Sequence, residues 1–248
     1  MKKKVLFLGA SGLIGPYVTP GLEADYDLIL TDVKPHPLGV PVRQVDIRSY
    51  AQVLEAARGA DAIANFTVVR GDPTDSFLVN TLGAWNVARA AVELGIRKIV
   101  HTGPQSVRPA YEHEFGLDEA PGAPGSGYYG VTKWLGREIC RTWAENCGLQ
   151  IISFVFAGLG PSPEGLQVKE DIPFFRVVWE DLQHACRLAL ELETVPGGFQ
   201  EFNLFSYPAN GKYTLDKARR ILGFEPTRRW EEYFRRPAGA RPVSEAVG

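Results

Sequence analysis

Residues 5–15 read VLFLGASGLIG, and the rest of the fold can be worked outward from them. Val5 to Leu8 is an apolar run too short for a helix and suited to a strand buried on both faces. Gly9, Gly12 and Gly15 follow directly. Glycines at this spacing permit a tight turn, close approach of backbone to a pyrophosphate, and close packing of helix on strand. The helix start behind them offers unpaired N–H groups and a partial positive charge to a phosphate. Leu13 and Ile14 complete the candidate cofactor-binding turn. A second strand, Asp27 to Leu30, ends at Thr31-Asp32, twenty residues after Gly12. A carboxylate there accepts hydrogen bonds from an adenosine ribose and repels a 2′-phosphate. NAD is therefore preferred over NADP, although Lys34 offsets some of that repulsion.

Further strands are expected at Val42–Val45, Ala62–Phe66, Lys98–His101, Gln150–Phe156 and Glu201–Phe205. Helical spacing of apolar residues falls between them, at Ser49–Arg58, Val79–Leu94 and Tyr129–Asn146. Ser49 is a candidate N-cap and Gly148 a stop. Pro16 suits a first turn, whereas Pro20-Gly21 should end that helix early. Alternating strands and helices imply an α/β fold, a doubly wound, Rossmann-like parallel sheet covered on both faces. The Pro/Gly-rich stretch Gly158–Gly165 divides the chain into a cofactor-binding core, 1–160, and a small C-terminal substrate lobe, 161–248, with a late strand returning to the core. Asp46-Ile47 follows the third strand, where an Asp could read an adenine amino group and an Ile pack on its ring.

Composition excludes several classes. The chain has 248 residues, 45% hydrophobic and 23% charged, with net charge −2. That is a globular composition with no electrostatic case for nucleic acid or an anionic membrane. The basic, apolar N-terminus looks like a leader until its apolar run breaks into glycines, and no stretch approaches a membrane span. Three cysteines, Cys140, Cys147 and Cys186, lack metal-type spacing and suit a reduced, cytoplasmic protein. The four histidines are scattered and form no metal site.

Tyr129 and Lys133 lie at i,i+4 within YYGVTK and so share a helix face. Spacing alone does not make them catalytic. With GASGLIG at 9–15, Asp46-Ile47, NTLGAWN at 80–86, YGVTK at 129–133 and RVVWEDL at 176–182, the chain resembles the extended short-chain dehydrogenase/reductase family. That group holds sugar epimerases, dehydratases and uronate dehydrogenases. The resemblance implies that Tyr129 is the general acid/base and that Lys133 holds the nicotinamide ribose. A free tyrosine, with a pKa of about 10, is a poor base at neutrality, and nearby positive charge favours its phenolate. Tyr128 should pack or line the pocket.

The resemblance also calls for a Ser or Thr after the fourth main strand, to orient the substrate oxygen. In HTGPQSV, residues 101–107, Pro104 takes that place. Thr102 and Ser106 flank it, and Ser106 is the preferred substitute, since residues two apart share a face when extended. Phe66, Thr67 and Val68 should pass beneath the cofactor, and Asn80 should bond backbone near the active-site turn. An Asp-Glu pair typical of dehydratases is missing: Gln105 and Ser106 stand there. Only 88 residues follow Gly160, few for a lobe that holds a nucleotide sugar. The loop before Tyr129 resembles that of uronate dehydrogenases. The expected activity is NAD-dependent oxidation of a sugar or sugar acid, with Arg70, Arg108 or Arg176 as partners for a carboxylate. The alternatives are a nucleotide-sugar epimerase and an NAD-binding sensor or partner module with little catalysis. A homodimer through the 79–94 and 129–146 helices, with Trp85, Trp134 and Trp143, would follow family habit.

Overall fold

A computed structural model describes residues 1–103, 116, 118, 126–166, 175–208 and 213–234. Seven parallel strands form one sheet: β1 (Lys3–Leu8), β2 (Tyr26–Asp32), β3 (Arg43–Gln44), β4 (Ala62–Asn65), β5 (Lys98–Thr102), β6 (Gln150–Val155) and β9 (Phe199–Asn203). Their order is β3-β2-β1-β4-β5-β6-β9, and every pairing is parallel. The reversal beside β1 is the topological switch point where such sheets open a crevice for a ligand. A second, two-stranded sheet pairs β7 (Gly158–Gly160) with β8 (Arg176–Val178).

The strands are apolar on both faces because each face is covered. Leu6, Leu8, Ile63, Ile99 and Ile151 point to one side, into a core shared with α2 (Tyr50–Ala57), α4 (Gly83–Leu94) and α5 (Tyr128–Cys147). Phe7, Val100, Phe154 and Phe202 point to the other, against α1 (Gly15–Val18) and α6 (Trp179–Glu191). Fully burying a Phe or Leu is worth about 2–3 kcal/mol, so these alternating rows fix the register. Much of the chain after residue 160 completes this core: α6 covers the sheet and β9 extends it. A small separate cluster joins Val178, Tyr207 and Phe234.

Local breakers act as the sequence suggests. Pro20-Gly21 limits α1 to one turn, followed by a 3-10 turn at Thr19–Gly21. Gly148 closes α5 at φ 70° and Gly95 closes α4 at φ 72°. Two expectations need correction. Ser49 occupies the N-cap position of α2, but its side chain makes no cap bond. The helix expected from Val79 instead begins as α3 (Pro73–Ser76), capped by Asp72, and passes through a π-helical turn, Phe77–Leu82, into α4. Such turns add a residue to the helix and often sit at functional sites.

Candidate active site

The glycine turn is built so that a dinucleotide fits it. Gly9 adopts φ +91°, and a Cβ there would lie 2.8 Å from the Phe66 carbonyl carbon. A Cβ on Gly15 would come within 2.3 Å of the Ala10 oxygen, so the helix can approach the strand only as glycine. At Gly12 a Cβ would meet only the Gly9 oxygen, at 3.3 Å, which leaves the space over the turn open. The N–H groups of Gly9 and Ala10 both bond the Thr31 carbonyl, tying the turn to β2. Ile14 is buried at the start of α1, and Leu13 is 76% exposed. Asp32 ends β2. Its carboxylate accepts the Ser11 N–H at 2.9 Å and the Lys34 N–H at 3.0 Å, clasping the turn to the following loop while keeping lone pairs for a ribose.

Around this turn, four expected contact residues are more committed to the protein than the sequence suggests. Arg48 holds the Asp46 carboxylate, at 2.8 Å from its Nη2, and keeps that carboxyl below its usual range. Ile47 is buried and would crowd any Cβ on Gly83 at 3.0 Å. The Phe66 ring turns into the core and stacks on Phe7 at 5.0 Å, leaving only its backbone beside Gly9. Thr67 donates its hydroxyl to Asn65 Oδ1 at 2.6 Å, and Val68 is half-buried.

Asn80, in the π-helical turn, spans three segments. Its Oδ1 accepts the Val69 N–H and its Nδ2 donates to the Val69 carbonyl, each at 3.0 Å. The same Nδ2 donates to Thr132 Oγ1 on α5 at 3.0 Å. The expected backbone bond is thus made, to the loop after β4. Gly136 lets α5 come this close, since a Cβ there would lie 2.5 Å from the Asn80 oxygen.

Tyr129 and Lys133 follow on the first turns of α5. Lys133 is buried, and its ammonium donates to the Thr102 carbonyl and, at 3.1 Å, to the Thr102 hydroxyl. Burial pushes this lysine down to about 8, against an upward pull from Cys140, with the charge of Arg70 a smaller downward contribution. Thr102 Oγ1 therefore faces the lysine. Pro104, Ser106 and Arg108 lie outside the described residues. Arg70 Cζ stands 5.2 Å from the centroid of the Tyr129 ring, and Tyr128 Oη donates to the Arg70 carbonyl at 2.8 Å. Tyr128 is half-buried and secures the loop carrying Arg70. Arg176 sits in β8, away from that loop in sequence, its guanidinium against Gly160.

Beneath α5 runs a feature the sequence reading missed. Asn65, His101, Ser153 and Glu201 are in register on four neighbouring strands, and all are buried. Arg137 of α5 pairs with Glu201 at 3.1 Å. Neither ring nitrogen of His101 has a hydrogen-bond partner among the described residues. Burial, and then the charge of Lys133, hold His101 well below the ordinary histidine range. Part of the signal was visible in the letters: β4 and β6 break their apolar runs with a single polar residue, Asn65 and Ser153. A cleft of about 1240 Å³ opens at the opposite, N-terminal ends of the strands, lined by Lys3, Lys98 and Glu191 among others. It does not touch the glycine turn or Tyr129.

The fold and the turn define a doubly wound dinucleotide-binding protein of the Rossmann-like class. The chain belongs to the NAD dependent epimerase/dehydratase family, whose model matches residues 5–173. It is 25% identical to a uronate dehydrogenase of Pseudomonas putida, over 66% of this chain and 64% of that one, slightly under two thirds of the relative's length. It is 24% identical to an NAD-dependent glucose-6-phosphate dehydrogenase of Haloferax volcanii, over 91% of this chain and 94% of the relative. Its fold matches the crystal structure of a glucuronic acid dehydrogenase from Chromohalobacter salexigens with a TM-score of 0.77 at 20% identity, covering 93% of this chain and 86% of that one.

Proposed function

We propose that this protein is an NAD-dependent oxidoreductase that oxidises a hydroxyl of a sugar or sugar acid. The carrying observation is Lys133: a buried ammonium, fixed to Thr102, one helical turn from Tyr129 and at the same strand ends as the glycine turn. NAD, when bound, supplies the hydride acceptor. Gly9, Gly12, Leu13, Ile14 and Gly15 would hold its pyrophosphate and Asp32 its adenosine ribose. Asp46 and Ile47 would border the adenine, and Phe66, Thr67, Val68 and Asn80 would lie under the nicotinamide end. Tyr129 would take the proton of the substrate hydroxyl, and Lys133 would hold the nicotinamide ribose and favour the phenolate. The donor that orients the substrate oxygen is the open position. Thr102 is turned to Lys133, which leaves Ser106, the choice from sequence, and Arg70. The names of the two relatives, a uronate dehydrogenase and a glucose-6-phosphate dehydrogenase, support a sugar-like substrate.

The same reading takes the protein to be cytoplasmic and dimeric. No helix among the described residues is long and apolar enough to cross a membrane. Trp85 of α4 is 45% exposed and meets Trp143 of α5 edge-on at 5.0 Å, giving an aromatic face suited to a second copy.

Incubation with NAD and a panel of aldoses and uronic acids, read by absorbance of the reduced cofactor, tests the activity. Turnover on at least one is expected. Epimerisation of a nucleotide sugar without net reduced cofactor would replace this reading with the epimerase. Tight NAD binding with no turnover on any substrate would leave a sensor.

A further inference from the structure

Oxidation of an alcohol breaks a C–H bond, whose electron pair leaves as hydride for the nicotinamide, and an O–H bond, whose proton goes to Tyr129. A C=O bond forms, and the oxygen carries developing negative charge between those events. A second hydrogen-bond donor on that oxygen lowers the barrier. Proline at 104 has no hydroxyl to give, and the Thr102 hydroxyl is 3.1 Å from Lys133 Nζ.

Arg70 stands in the right place to act instead. Its guanidinium lies over the ring of Tyr129, Cζ 5.2 Å from the centroid. No ion pair among the described residues holds it, and the acids next to it in sequence are used elsewhere. Asp72 accepts the Asp75 N–H at 2.8 Å as a helix cap, and Asp75 pairs with Arg48 at 3.0 Å. The backbone beneath it is fixed at three points, by Asn80 on both polar groups of Val69, by Ser76 Oγ on the Val69 carbonyl at 3.1 Å, and by Tyr128 on the Arg70 carbonyl. So an exposed, unneutralised guanidinium is presented from a tethered loop. Its planar fork of N–H donors is thereby held at the face of the Tyr129 ring. The charged groups described on this side of Tyr129 are Arg70 from the loop after β4 and Lys133 from α5, with His101 of β5 uncharged behind Lys133.

We propose that Arg70 is a catalytic residue: it donates to the reacting oxygen of the substrate beside Tyr129, in the role that a hydroxyl at position 104 would otherwise fill. This rests on the oxidoreductase reading. A cation here also favours substrates whose oxygen neighbours an anionic group, as in a sugar acid.

The test compares wild type with Arg70→Gln, Arg70→Lys, Arg70→Gln/Pro104→Ser and Ser106→Ala, using NAD with D-glucuronate and D-glucose. Arg70→Gln should lower kcat by roughly 10²–10³-fold, the loss usual for an oxyanion donor, with NAD affinity unchanged. Arg70→Lys should recover part of it. Adding the serine to Arg70→Gln should restore at least about tenfold, a rescue that a purely structural role for Arg70 does not allow. Binding of D-glucarolactone, the carbonyl product of glucuronate oxidation, to the enzyme with NADH gives a readout without turnover, and Arg70→Gln should weaken it. Arg70→Gln activity within a few-fold of wild type, or the large loss falling on Ser106→Ala instead, overturns the proposal. So does a serine at 104 that restores nothing. If wild type oxidises no sugar, the proposed activity fails. Arg70 fails with it only if wild type and Arg70→Gln also bind the lactone equally.

Discussion

The two ends of the cofactor line are built on opposite plans. At the glycine turn the groups that set its shape are bonded within the protein: Gly9 and Ala10 bond Thr31, and Asp32 bonds Ser11 and Lys34. At the start of α5 the groups are costly or unpartnered. Lys133 is a buried cation, and among the described residues His101 has no partner for either nitrogen and Arg70 has no counter-ion. A buried unsatisfied polar group costs about 1–3 kcal/mol, so the second region sacrifices stability that the first does not. A binding cradle needs shape, which backbone provides cheaply. A reacting centre needs charge held where water is scarce.

Substitutions at the two ends should therefore fail in different ways. Removing the phenol should have the largest effect: Tyr129→Phe is expected to lower kcat about 10³-fold, roughly 4 kcal/mol, while NAD affinity stays within about threefold. Turnover that survives would mean another group moves the proton. At the cradle, Gly9→Ala should reduce stability by roughly 3 kcal/mol, because φ +91° and a contact of 2.8 Å with backbone both oppose a side chain. Urea unfolding reads this directly, and an unchanged midpoint would mean the turn can relax.

Lys133 carries a pH signature. Its folded value, about 8, lies below its ordinary 10.5, so between these the unfolded chain binds more protons and stability rises with pH. Below pH 8 the full cost of the buried charge is present. The stability of Lys133→Met relative to wild type should accordingly fall by up to about 2–3 kcal/mol from pH 8 to 10.5. A flat difference would mean that the ammonium is well satisfied where it sits. His101 acts in the same sense at lower pH: below about 6.5 the unfolded chain takes up a proton that the buried ring refuses, so stability falls as the pH drops. The smallest effect is expected at Asp32→Asn: about a tenfold loss of NAD affinity, near 1.4 kcal/mol, with NADP gaining relative to NAD. Fluorescence titration with both cofactors checks it, and equal losses for both would mean that Asp32 serves the turn and not the ribose.

The legible parts of this molecule are those encoded locally. The first strand, the three glycines and Asp32 are neighbours in sequence and in space, so spacing alone exposes them. Helix α5 was readable for the same reason, from its i,i+4 pair and the glycine that ends it. What escaped depends on juxtaposition. Nothing near Phe66 says that its ring will choose Phe7, on another strand. The row Asn65, His101, Ser153, Glu201 becomes one object only when β4, β5, β6 and β9 are laid side by side. Arg70 and Tyr129, 59 residues apart in the chain, are brought together through Asn80.

Asn80 can do this because the helix before α4 is wound one residue loose. Deleting any single residue between 77 and 82 would let that turn tighten to ordinary α-helical winding and rotate what precedes it by about 100°. The amide would then swing off the strand-end loop, and guanidinium and phenol would part company although neither had been altered. The spacing of Arg70 and Tyr129 is thus set by a count of residues in a helix that contains neither.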